Sequence, residues 1–241
     1  MLTSLIEEVW LRHETNYGSP RIYKELKKMG LRIGKKRVER LMQAAGLVGK
    51  AGRIYRRKAR AKAVYQRLEN LRVDAPAPTA PDQQWVGDLT YIRVAGRWHY
   101  LAVVMDVFSR RVIGWSLGKH KTAALVLRSL QQAFQHRAVN EGLIFHTDRG
   151  AEFGAELVQH ALKGLGIRAS MNRPGKVTDN AHIESFFQSM KTECIHGIVF
   201  ETERELRMTL SHYIDLYYNE LRMHSAIGYR SPNECEQQLA A

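Results

Sequence analysis

A chain of 241 residues, 44% hydrophobic and 25% charged, has room for one large domain beside a small one. No apolar run reaches the ~18–20 residues that span a bilayer, and the opening Met1-Leu2-Thr3-Ser4-Leu5-Ile6 carries no basic n-region or cleavage signature. Two cysteines, Cys194 and Cys235, are too few for a disulfide framework and lack zinc-ligand spacing, which suits a reduced, intracellular setting. The net charge is +13, and residues 1–72 hold 19 Lys and Arg against 6 Asp and Glu, so the whole excess lies in the first third. That asymmetry implies a basic module that meets a polyanion, joined to a neutral module with another task.

The basic module reads as three short helices. In the first, over 4–13, Ser4 is placed to cap and Leu5, Ile6, Val9 and Trp10 form an apolar stripe. Gly18-Ser19-Pro20 starts the second, with Ile22, Tyr23, Leu26 and Met29 inward and Arg21, Lys24, Lys27 and Lys28 outward; Gly30 ends it. The third, over 35–45, sets Lys35, Lys36, Arg37 and Arg40 opposite Val38, Leu41, Met42 and Ala45. Two short helices about a Gly-containing turn, the later one basic at its N-terminal end, suit a helix-turn-helix that reads DNA. Residues 1–48 form this unit. Residues 49–81 read as a linker, first basic (Arg56 and Arg57 among its candidate phosphate contacts) and then proline-rich through Pro76, Pro78 and Pro81.

Beyond the linker the pattern changes to strands. Trp85-Val86-Gly87-Asp88-Leu89-Thr90-Tyr91-Ile92 is apolar on both faces, with a carboxylate in its middle. A hairpin at Ala95-Gly96 leads to a second strand and then a third. A helix capped by Thr122 follows, then a strand ending at Asp148, a helix over 151–165, a strand over 166–171, and a helix from Thr178 to about Ile195 carrying Glu184. This order predicts an α/β fold: a ribonuclease H-like mixed five-stranded sheet with flanking helices over 82–198, followed by a C-terminal helix and tail over 199–241.

Asp88 in a buried strand needs a partner for its charge. The first and fourth strands of this topology are neighbours, so Asp148 can converge on Asp88, and the last helix can bring Glu184 over both. Carboxylates about 4 Å apart repel by ~4 kcal/mol at an effective dielectric of 20, which divalent cations offset. Oxygen donors without a Cys or His cluster favour Mg²⁺ or Mn²⁺, and two such ions could clamp a phosphodiester. Glu184, Gln188 and Lys191 share a helix face, which places Lys191 within reach of a neighbouring phosphate. Asp106 and Asp179 read as a turn support and a helix cap. His146 is expected to be structural rather than a base.

Trp85–Ile92, Phe145-His146-Thr147-Asp148-Arg149-Gly150 and Asp179-Asn180-Ala181-His182-Ile183-Glu184 with Lys191 resemble the DDE integrase-core transposases. Together with Tyr218-Asn219-Glu220-Leu221-Arg222-Met223-His224 they are similar, more narrowly, to the OrfB-type product of the bacterial insertion-sequence-three family. The resemblance implies Mg²⁺-dependent cutting at element ends and attack of the freed 3′-OH on target DNA. It implies Asp88, Asp148 and Glu184 as the metal-binding triad, two ions per site, and Lys191 as a DNA contact. It also implies a homo-oligomer on DNA in the bacterial cytoplasm and a full transposase made as a frameshifted fusion, whose upstream DNA-binding and oligomerising segment this chain starts without.

Overall fold

The computed structural model describes residues 2–50, 68–73, 75–174 and 177–239, the side chains of 177 and 178 excepted. Arg56 and Arg57, with the rest of the basic stretch 51–67, and the turn residue Gly175 lie outside the described residues.

Three helices open the chain: α1 (Leu2–Arg12), α2 (Ser19–Lys28) and α3 (Lys35–Ala44). Ser4 lies inside α1 instead of capping it, and Gly18, not Ser19, is the N-cap of α2. Gly30 and Gly46, at φ +82° and +66°, end α2 and the turn after α3 in the left-handed region that glycine tolerates. Ile6, Val9, Tyr17, Ile22, Leu26, Val38 and Met42 form the small core. Met29, expected inward, is exposed because α2 ends before it.

The second module is built on β1 (Gln84–Val94), β2 (Arg97–Asp106), β3 (Val112–Gly118), β4 (Ile144–Thr147) and β5 (Arg168–Met171), in the order β3-β2-β1-β4-β5. β1, β2 and β3 pair antiparallel; β4 and β5 join β1's other edge in parallel. The sheet is the mixed one expected. Side chains alternate, so each face has its own core. Trp85, Leu89, Ala102, Val104 and Phe145 face α4 (Ala123–His136), α5 (Ala151–Gly154) and α6 (Glu156–Gly164). The expected single helix over 151–165 is broken at Ala155, which is extended (ψ 141°). Val86, Ile92, Leu101 and Val103 face α7 (Ala181–Met190) and the chain that follows it.

The helix expected over 178–195 is three pieces: a 3₁₀ turn at Val177–Asn180, α7, and a π-helical turn at Lys191–Ile195. Residues 199–241, expected as a helix and a tail, carry α8 (Glu203–Ser211), a π-helical stretch His212–Leu221 and α9 (Pro232–Gln237). Leu206, Leu210, Tyr213, Ile214, Tyr217 and Tyr218 bury in the same core as α7. Within it Arg222 clasps Glu193 at 2.6 and 2.7 Å, and the Tyr213 hydroxyl donates to the same carboxylate. The chain then returns to the first module. Met223 joins its core, and Tyr17 Oη accepts from Met223 N at 2.7 Å and donates to Leu221 O. The linker is also held: Leu71 N donates to Ser170 Oγ, Met171 N to Glu69 O, and Arg72 reaches Gln84 and Asp179 O.

Candidate active site and nucleic-acid face

Asp88 sits in mid-β1 and is 4% exposed. The parallel register pairs Val86 with His146 and Gly87 with Thr147, where it ends, so Asp88 and Asp148, the first residue after β4, each follow the last pair on neighbouring segments. By alternation Asp88 shares the face of Val86, the face that α7 covers. Local bonds orient both carboxylates: Leu89 N donates to Asp88 Oδ1 at 2.7 Å, and Gly150 N to Asp148 Oδ1 at 2.9 Å. Gly87, next to Asp88, leaves no room for a side chain, because a Cβ there would run into the Phe145 ring.

Glu184 lies in the first turn of α7 and is partly buried. Ile183, Phe186, Phe187 and Met190 seat that helix on the sheet, and Asn180 Nδ2 donates to Gly87 O at 3.3 Å, pinning the entry to α7 beside Asp88. The role of Asn180 had no signal in the sequence beyond a polar residue before a helix. Among the described residues, no three His, Cys, Asp or Glu side chains stand close enough to hold a metal ion together. The donor set still suits a hard cation. Two aspartates with Glu184 on the covering helix fit the Mg²⁺ pattern of one or two carboxylates completed by phosphate oxygens and water.

The surrounding residues have assignable tasks. His146 is fully buried and bonds Ser170 Oγ at 2.8 Å and Asn172 Oδ1 at 2.7 Å; burial, then the nearby Arg72, lowers its pKa to about 4, so it is a neutral structural group. Arg149 Nε donates to Asn172 O, turning that side chain along β5. Asp179 does not cap α7: it pairs with Arg173 at 2.9 Å and accepts from Asn70 at 2.7 Å, and these bonds hold its pKa well below the usual carboxylate range. Asp106 is the turn support expected, accepting from Asp82 N, Ser109 N and Ser109 Oγ.

Of the basic candidates, Lys35, Lys36, Arg37 and Arg40 are exposed along α3. Lys191, at the start of the π-helical turn, holds Nζ 4.7 Å from the centroid of the half-exposed Tyr91 ring. Arg21 departs from expectation. It is not on the outer face of α2 but half-buried, 5.4 Å from the Tyr17 ring, because that side of α2 packs on the returning C-terminal chain.

Comparison with known proteins agrees with this architecture. An HTH-like domain matches residues 2–58, and two integrase core domain models match residues 78–177 and 165–232. The transposase for insertion sequence element IS904 of Lactococcus lactis is 37% identical over 98% of this chain and 94% of its own length. Transposase InsF for insertion sequence IS3A of Escherichia coli is 38% identical over 99% and 83%. A chain of the simian T-cell lymphotropic virus intasome shares the fold at 16% identity, with a TM-score of 0.53 over 94% of this chain and 73% of that one. Likeness to two transposases over nearly the full length, together with the integrase core and HTH-like matches, places the chain in the insertion-sequence-three family of transposases.

Proposed function

We propose that this transposase cuts phosphodiester bonds at the ends of an insertion element and joins the freed 3′-OH to target DNA, with Asp88, Asp148 and Glu184 as its catalytic carboxylates. The observation that carries the reading is the register: Asp88 of β1 and Asp148, the first residue after β4, follow the last pair of two parallel strands, on the sheet that the Glu184 helix covers. Asp88 and Asp148 would hold Mg²⁺ or Mn²⁺, with Glu184 closing the site from α7. The chemistry that bound metal supplies, from two ions in this reading, is Lewis acidity toward the phosphoryl oxygens. The fixed carboxylates orient the scissile phosphate, and the buried apolar floor of Val86 and Ile183 keeps that site rigid. Lys191 holds a flanking phosphate, and Lys35, Lys36, Arg37 and Arg40 track the backbone of the DNA bound by the first module. Assembly as a homo-oligomer on element ends, with an upstream-frame partner or fusion supplying further DNA contacts, belongs to the same reading.

A metal-dependent strand-transfer assay on element-end DNA tests it. Asp88→Asn should lower joining by about 10³-fold or more while DNA affinity stays within about twofold. Metal-dependent joining at the parental rate by that variant would overturn the assignment, and cutting without joining by the parent would reduce the protein to a nuclease.

A further inference from the structure

A cleft of about 300 Å³ opens beside α7. Its floor is Phe186, Tyr218 and Arg222, Arg21 and Arg110 enter from the sides, and exposed Ser185, Ser225 and Ala226 form its mouth. Three segments of the chain converge here: Arg21 from α2, Arg110 from the β2–β3 turn and Arg222 from the returning C-terminal segment.

The charges in this cleft are unbalanced. Glu193 is committed to Arg222, which it holds at 2.6 Å with both groups buried. Burial, then Arg222, pushes the Arg21 guanidinium below its ordinary pKa, and burial does the same to Arg110. His224 and His182 are kept neutral by burial and by these arginines. Among the described residues the buried Nε of Arg110 has no hydrogen-bond partner, and Arg110 is held at φ +66°, a conformation unusual for its type. Burying several guanidiniums around a polar hollow is costly unless an anion completes it. The hydroxyls of Ser185 and Ser189 at its wall are neutral donors suited to the same ligand.

We propose that this cleft is a phosphate site, and that the phosphate it takes is a backbone phosphodiester of DNA, held one helix face away from Glu184. The inference rests on the reading that the chain acts on DNA. Its geometry ties the arrangement of α2, α7 and the C-terminal segment to the path of the strand, so that one bound phosphate locks all three.

The test is the salt dependence of binding to a DNA duplex, measured with the full chain. Losing one phosphate contact should reduce the slope of log K against log salt by about 0.9, roughly an eightfold loss of affinity at 0.1 M salt. Arg110→Gln should show that change and Arg110→Lys should recover much of it. Ser185→Asp, a substitution at an exposed position, should reproduce the loss by placing a carboxylate at the mouth, and covers the case in which the arginine variant fails to fold. An unchanged slope in Arg110→Gln and Ser185→Asp overturns the proposal. So does protection by inorganic phosphate that is lost in Arg110→Gln while the DNA slope stays at the parental value, since the site would then serve free anions. The slope is read on binding alone and the catalytic assignment on joining, so failure here is separable from failure of the catalytic assignment.

Discussion

Asp106 shows how one residue sets a pH dependence away from the reaction. It is fully buried at the end of β2, and burial raises its pKa from 3.8 to about 6 against the pull of three hydrogen-bond donors. Between those values the folded protein holds a proton that the unfolded chain has released. The contribution of Asp106 to stability is therefore full below about pH 4 and is lost as pH rises through about 6, an effect of ~3 kcal/mol for a two-unit shift. Chemical denaturation of Asp106→Asn across pH 4–7 should show the gap between parent and variant changing by an amount of that order. A gap that stays constant with pH would contradict it. In the sequence Asp106 is one of 24 acidic residues. Its position at a strand end identified it as a support, but its burial depends on β1 and the Asp82 turn, which no local pattern reports. The same holds for Asp179, whose place before a helix suggests a cap and whose partners, Arg173 and Asn70, come from outside that helix.

At the scale of elements, the sheet is fixed by contacts that allow no side chain between layers. A Cβ on Gly114 in β3 would stand 2.1 Å from Ser129 O and 2.9 Å from Ala133 N of α4. Gly114→Ala must push α4 off the sheet, and thermal or urea unfolding should register a loss of about 2 kcal/mol or more; a neutral variant would show that α4 shifts freely. Strand order was legible because alternation, hairpin glycines and the Thr122 cap are local signals, and the Thr122 side chain does accept from Leu125 N. Helix interruptions were not. Gly154 alone hints that the helix breaks before Ala155, and the π-helical turn at Lys191–Ile195 carries Glu193, whose partner Arg222 is 29 residues away in sequence. The pairing of β1 with β4, after which Asp88 and Asp148 both come, was inferable from topology. The seating of Glu184 relative to them depends on that interrupted helix.

Across the whole molecule, the two modules are bound together by the end of the chain. Tyr17 is buried between them, and its hydroxyl serves Met223 N and Leu221 O. Lys28 pairs with Glu234, and Tyr217 Oη donates to His13 O. Tyr17→Phe leaves the buried Met223 N–H unsatisfied, a cost of about 1–3 kcal/mol. Hydrogen exchange should show α1–α3 losing protection before the sheet does; uniform protection would contradict a joint at Tyr17. The sequence separates a basic first third from a neutral remainder. It conceals that Tyr213, Ile214, Tyr217 and Tyr218, which form a helical stripe, belong to the core rather than to a loose tail. It also conceals that Arg21 lies half-buried against this returning segment.

The central claim is that Asp88 and Asp148, with Glu184 from α7, bind a divalent cation. The most direct measurement is anomalous diffraction from crystals soaked in Mn²⁺. A manganese peak beside Asp88 and Asp148, within reach of Glu184 from α7, is expected. Crystals saturated with Mn²⁺ that show no peak there, or only peaks remote from both aspartates, would contradict it.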